Sequence, residues 1–162
     1  MINFEFNIWV DADSCPNKIR EYLINQSQTK KINVNFVANQ AINCLNTSDS
    51  VKMIIAEKTK DGADNYIYDN VKNNDIVITR DILFAERLVK KNIAVMNDRG
   101  VLFTKYNIQD RLLERSFSLN LSEIGLGGEK KSYYSDKEFK KFCTCFESQL
   151  QNSIMKETYH IT

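Results

Sequence analysis

The sequence predicts an α/β fold around a mostly parallel central sheet, with a helical C-terminal appendage. Three observations predict it. Short β-rich runs alternate with helical patterns of about 10 to 15 residues as far as Gly100, the spacing of strand–helix–strand units. One of these runs, "DIVIT" (75–79), is a short, continuous apolar stretch, as expected of a strand covered on both faces. Beyond Gly100 the character changes and helical patterns dominate.

Taken in order, residues 4–10 (FEFNIWV) read as a buried first strand. Pro16 suits the first helical position, with Asp13 or Ser14 as a cap, and Ile19, Tyr22, Leu23 and Ile24 form an apolar stripe to about Ser27. "INVNFVA" (32–38) alternates and is a second strand; "VKMIIAE" (51–57), after the polar "NTSDS", is a third. From Asp61 to Asn73 the apolar positions Ala63, Tyr66, Ile67 and Val71 repeat at helical spacing. "DIVIT" follows as a strand, then a helix from Asp81 to Lys91 with Leu83, Phe84, Leu88 and Val89 inward, then a strand "IAVMN" (93–97). "VLFT" is a short strand, 107–123 a helix and "GLGG" (125–128) a loop. "SDKE" (Ser135 to Glu138) is a capping box opening a last helix to about residue 152. No internal repeat or linker composition interrupts the chain. Residues 1–152 therefore read as a single domain, 107–152 as its helical appendage, and 153–162 as a frayed tail.

A chain of 162 residues is long enough for one domain with a real core. Its net charge of +1 supplies no global field, so a nucleic-acid partner must be held by a local patch. No apolar run approaches the roughly 20 residues of a membrane span, and no signal-like segment opens the chain, so the expectation is a cytoplasmic protein without a membrane partner. Cys15, Cys44, Cys143 and Cys145 match no zinc spacing and read as reduced thiols. His160 is the only histidine, which excludes Ser-His-Asp hydrolases, Cys-His proteases and most zinc hydrolases. An enzyme of this composition works with carboxylates.

The acids cluster in the predicted topology. Asp11 and Asp13 end the first strand, Asp61 and Asp64 open the helix after the third, and Asp81 follows the strand that begins near Asp75. In a parallel sheet all strands finish at one edge, where open α/β folds bind ligands. Mg²⁺ and Mn²⁺ prefer oxygen ligands, and a pair of such ions can clamp the attacking and leaving oxygens of a phosphodiester. The competing reading is that Asp13, Asp61 and Asp81 only cap helices, each contributing around 1 kcal/mol. Both readings stand at this point.

The ordered motifs "WVDADSCP", "FVANQ", "GADNYI", "DIVITRDI", "NDRG", "IQDRL" and a late "GG" loop resemble the YaiI/YqxD family of small bacterial proteins, within the PIN-like nuclease group. The resemblance covers about residues 7 to 150. It implies a three-layer PIN-like (Rossmann-like) domain, and in register it implies metal-holding roles for Asp11, Asp64 and Asp81, with Thr79 as the hydroxyl residue of the "T-x-D" strand end. Asp13, of the "DAD" signature, is an additional metal ligand on this reading. The further acid of many PIN-like nucleases has no clear counterpart, Glu21 and Asp61 being the candidates. Against the family's usual N-P-R-G, Asp98 replaces proline, which keeps Arg99 in register but removes the ring that would stiffen its loop.

Arg80, Arg99 and Lys130–Lys131 are candidates for a basic rim that binds phosphate, and Tyr133 and Tyr134 for stacking on bases. Asn39, ending the second strand, either orients a ligand or satisfies loop backbone. Three functions follow. The first is a Mg²⁺- or Mn²⁺-dependent nuclease acting on RNA or single-stranded nucleic acid. The second is a non-catalytic module binding nucleic acid or protein. The third is a haloacid-dehalogenase-like phosphatase with Asp11 as nucleophile and Asp13 as acid–base, since "DADSC" resembles the start of that family's motif.

Overall fold

The computed structural model describes residues 3–42, 47–127 and 133–160. Six strands form one sheet: β1 (Asn7–Asp11), β2 (Asn33–Ala38), β3 (Val51–Ile55), β4 (Ile76–Ile78), β5 (Ala94–Met96) and β6 (Leu102–Phe103). Their spatial order is β3-β2-β1-β4-β5-β6, with every neighbouring pair parallel except β5–β6. The helices are α1 (Asn17–Lys30), α2 (Gly62–Asn70), α3 (Ile82–Lys90), α4 (Ile108–Glu123) and α5 (Asp136–Tyr159). The α/β class, the mostly parallel sheet and the helical C-terminal segment expected from the sequence are all present.

Alternation along the strands divides the core in two. Ile8, Val10, Val34 and Phe36 face one side of the sheet and pack with Ile19 and Leu23 of α1 and Phe142, Phe146 and Leu150 of α5. Trp9, Val37, Val77 and Val95 face the other side, against Ile67 of α2, Phe84 and Leu88 of α3 and Ile108 of α4. The result is three layers, helix–sheet–helix. Helix α5 is thus half of one helical layer rather than an attachment to it, because its residues 142, 146 and 150 recur on one face at a spacing of four and are buried.

The chain differs from expectation at both ends. The last helix does not fray at 153 but runs to Tyr159, with Ser153 buried. Its Glu157 carboxylate accepts hydrogen bonds from the Glu5 N–H (2.6 Å) and the Phe6 N–H (3.4 Å). Those bonds take up the backbone of residues expected in the first strand, and β1 begins only at Asn7. The capping box at α5 is formed: Glu138 accepts from the Ser135 N–H at 3.0 Å. Among the described residues, no helix is long and apolar enough to cross a membrane. Cys15 is buried, Cys143 and Cys145 are half-buried, and all three are free thiols. Cys44 lies outside the described residues.

Candidate active site

The connections leaving β1 and β4, the two central strands, diverge: β1 leads through α1 to β2 on one side, and β4 through α3 to β5 on the other. That divergence opens a crevice at the carboxyl ends of β1 and β4, where ligands of open α/β sheets bind. Asp11 is the last residue of β1, and Thr79, Arg80 and Asp81 follow β4 directly. Helix α3 begins after Asp81, and α2 brings Asp64 in its first turn.

Thr79 is buried and ties this edge together. Its Oγ1 donates to Asp11 Oδ2 at 3.1 Å and accepts from the Asp81 N–H at 3.1 Å. Asp81 Oδ1 in turn accepts from the Phe84 N–H at 3.1 Å, capping α3. Burial pushes Asp11 up to about 6; the Thr79 hydroxyl opposes that rise, and the charges of Asp13 and Asp81 add to it. Burial pushes Asp64 up to about 7, helped by the charges of Asp11, Asp81 and Asp61. The sheet edge thus brings Asp11, Asp64 and Asp81 within range of one another's charge.

Asp75, the acid at the opposite end of β4, shows what a structural aspartate looks like in this fold. It is buried and accepts from the Asn7 N–H (2.8 Å), the Trp9 indole N–H (2.9 Å) and the Lys72 N–H (2.9 Å). Its carboxylate takes up three donors, whereas at the other edge Asp11 accepts from the Thr79 hydroxyl and Asp81 from the Phe84 N–H, and both lie within range of other acids.

The capping alternative fares unevenly. Asp81 caps. Asp61 occupies the N-cap position of α2 without a side-chain cap bond. Asp13 does not cap α1, whose N-cap is Pro16. A short 3-10 turn (Ala12–Ser14) intervenes, and Asp13 instead accepts from the Asn39 N–H at 3.2 Å, joining the ends of β1 and β2. The Asn39 amide oxygen is buried and has no hydrogen-bond partner among the described residues. Among the described residues, no three or more His, Cys, Asp or Glu side chains stand gathered closely enough to hold a metal ion between them.

Residues 9–152 match the family model described as "Uncharacterized BCR, YaiI/YqxD family". The chain belongs to the YaiI/YqxD family. It is 40% identical to a UPF0178 protein of Treponema denticola over 147 residues, covering 91% of this chain and 93% of the relative. A UPF0178 protein of Psychromonas ingrahamii is 37% identical over 148 residues, covering 90% and 96% of the two chains. No solved structure gives a significant match.

In this YaiI/YqxD member the loop with aspartate in place of proline is held by other means. Asp98 is buried, and its Oδ2 accepts from Arg80 Nε at 2.7 Å within an Arg80–Asp98 ion pair. Its backbone carbonyl accepts from the Tyr134 hydroxyl at 2.8 Å, so Tyr134 anchors this loop. Asn97 Oδ1 accepts from the N–H groups of Arg99 and Val101 at 3.0 and 2.9 Å. Gly100 has φ +79°, and a Cβ there would lie 2.4 Å from the Lys141 backbone, so only glycine fits beneath α5. Sequence reasoning missed Asp98 as a partner of Arg80. The available signal was the acid in "NDRG", where the resemblance leads one to expect proline. Of the basic rim, Arg80 and Arg99 stand together across this loop, while Lys130 and Lys131 lie outside the described residues.

Proposed function

We propose that the protein is a divalent-metal-dependent phosphodiesterase acting on RNA or single-stranded nucleic acid. On this reading Asp11, Asp64 and Asp81 hold the metal, Mg²⁺ or Mn²⁺, and Asp13 is an additional ligand. One observation carries it: Asp11, Asp64 and Asp81 come from three separate segments to the carboxyl ends of β1 and β4, near enough that the charge of Asp81 raises the proton affinity of both Asp11 and Asp64.

The donor set fits a hard cation, since every candidate group offers oxygen and none offers sulfur or imidazole. Mutual repulsion keeps such carboxylates apart until positive charge balances them. When bound, an ion of this class stabilises charge on phosphoryl oxygens and makes water a better nucleophile. The chain's own residues prepare for it. Thr79 fixes Asp11 and the Asp81 backbone from one hydroxyl, and the α3 cap fixes the Asp81 carboxylate. Asp11 and Asp64 give up their protons only near neutral pH, so cation binding and their deprotonation are linked. Arg80, oriented by Asp98, offers its remaining guanidinium N–H groups to a phosphate.

The test is cleavage of short labelled RNA and single-stranded DNA in Mn²⁺. Wild type turns over repeatedly and the Asp11→Asn, Asp81→Asn double variant does not. Equal cleavage by both sinks the assignment, and binding without turnover by wild type selects the non-catalytic module instead.

A further inference from the structure

Beside the acids, on the β5–β6 side, lies a cleft of about 390 Å³, a size suited to part of a ligand. Arg80 and Arg99 form one wall, and Arg111 and Arg115, from the first two turns of α4, form the other. Ile82 and Phe103 supply its apolar floor, Phe103 being buried. Four guanidinium groups thus face two carboxylates, Asp98 and Glu114, in a protein whose net charge is only +1. The positive charge that the whole chain lacks is concentrated here.

The two carboxylates leave donors of Arg80 and Arg111 available. Buried Asp98 engages Nε and one terminal nitrogen of Arg80. A guanidinium has five N–H donors, so Arg80 keeps others for a ligand. Glu114 approaches Arg111 Nη1 only at 3.6 Å, as an i,i+3 neighbour on the helix surface, and such exposed pairs are weak and exchange readily. Arg80 and Asp98 line both this cleft and the small pocket lined by Asp11 and Thr79, so the two sites adjoin. Helix α4 gives a structural reason to treat this wall as more than core: beyond Ile108 none of its residues is buried.

We infer that this cleft seats the backbone phosphates of a single-stranded nucleic acid leading away from the acid cluster, with Arg111 and Arg115 as phosphate-binding residues. The inference deepens the phosphodiesterase reading and rests on it for the identity of the polyanion. Guanidinium groups suit phosphate, which they meet with two donors at once. The apolar floor lets sugar and base edges lie in the cleft without losing polar contacts.

The experiment measures binding of labelled oligo(A) RNA and oligo(dA) by fluorescence anisotropy in EDTA, across a salt series. Without metal, the result does not depend on turnover. The Arg111→Ala, Arg115→Ala variant is expected to bind either strand roughly tenfold more weakly, with a salt dependence shallower by about 1.5. Both changes fall on an exposed helix that tolerates alanine, and circular dichroism checks that the fold is kept. The Arg111→Lys, Arg115→Lys variant is expected to recover part of the affinity, and Lys30→Ala, Lys52→Ala, in α1 and the opposite edge strand β3, to lose none. Unchanged affinity in the alanine variant, or an equal loss in the Lys30, Lys52 control, overturns the cleft. The phosphodiesterase reading fails differently, by absence of Mn²⁺-dependent cleavage in a protein whose cleft still binds.

Discussion

Thr79 Oγ1 donates a 3.1 Å hydrogen bond to Asp11 Oδ2, joining the ends of the two central strands where the sheet's connections diverge. The same oxygen accepts from the Asp81 N–H, so one buried hydroxyl sets two of the three proposed metal-holding residues. Thr79→Val keeps the shape and removes both bonds. It is expected to cost about 1–2 kcal/mol in urea unfolding, because the Asp81 N–H and the Asp11 carboxylate each lose a partner. It is also expected to weaken Mn²⁺ binding, measured by calorimetry, without removing a carboxylate.

Asp81 is both a cap and a proposed ligand, and two substitutions separate the roles. Asparagine caps a helix as well as aspartate does, so Asp81→Asn should leave stability nearly unchanged while abolishing cleavage. Asp81→Ala should lose the Phe84 cap as well, at about 1 kcal/mol. Unfolding curves and cleavage rates of the two variants, measured side by side, check this.

Asp11 and Asp64 make stability fall as pH rises. Unfolded, both ionise near 3.8; folded, they hold their protons to about 6 and about 7. Between those limits the folded state binds more protons than the unfolded state, so stability declines across this window and the loss is complete above about 7. Asp64 is only partly buried, so solvent screening reduces the effect. Without divalent metal, Asp64→Asn should be more stable than wild type by about 1 kcal/mol at pH 8 and no more stable at pH 4. Urea unfolding at both pH values measures it.

Helix α5 belongs to the core. Phe146 is fully buried and stacks on Phe142 at 5.9 Å between ring centroids. Phe146→Ala should destabilise the protein by about 3–5 kcal/mol, since the ring's burial is forfeited and a cavity takes its place. A destabilisation below about 1 kcal/mol in thermal or urea unfolding contradicts this placement.

Much of the site was legible because parallel sheets send every strand's carboxyl end to one edge, so a list of strand ends is already a list of neighbours. Asp11, Thr79 and Asp81 could be placed together on that rule alone. Strand order is a different matter: nothing in "IWVD" or "DIVIT" states that they pair, since register and adjacency come from tertiary packing. Asp13 misled as a cap because a 3-10 turn separates β1 from α1 and turns its carboxylate toward Asn39. The burial of α5 was present as the spacing of Phe142, Phe146 and Leu150, yet a helix following a completed α/β pattern looks like an addition. Arg111 lies in the "IQDRL" motif and Arg115 just beyond it, but neither spacing nor motif assigned them a role. Their partners across the cleft come from loops some 12 to 35 residues earlier.

The central claim is that the crevice between β1 and β4 holds a divalent cation through Asp11, Asp64 and Asp81. Titrating Mn²⁺ into the protein by isothermal calorimetry at pH 8 tests it most directly, with wild type beside Asp11→Asn and Asp64→Asn. The account predicts saturable binding by wild type and its loss in both variants, which remain folded. The same isotherm in all three proteins contradicts it.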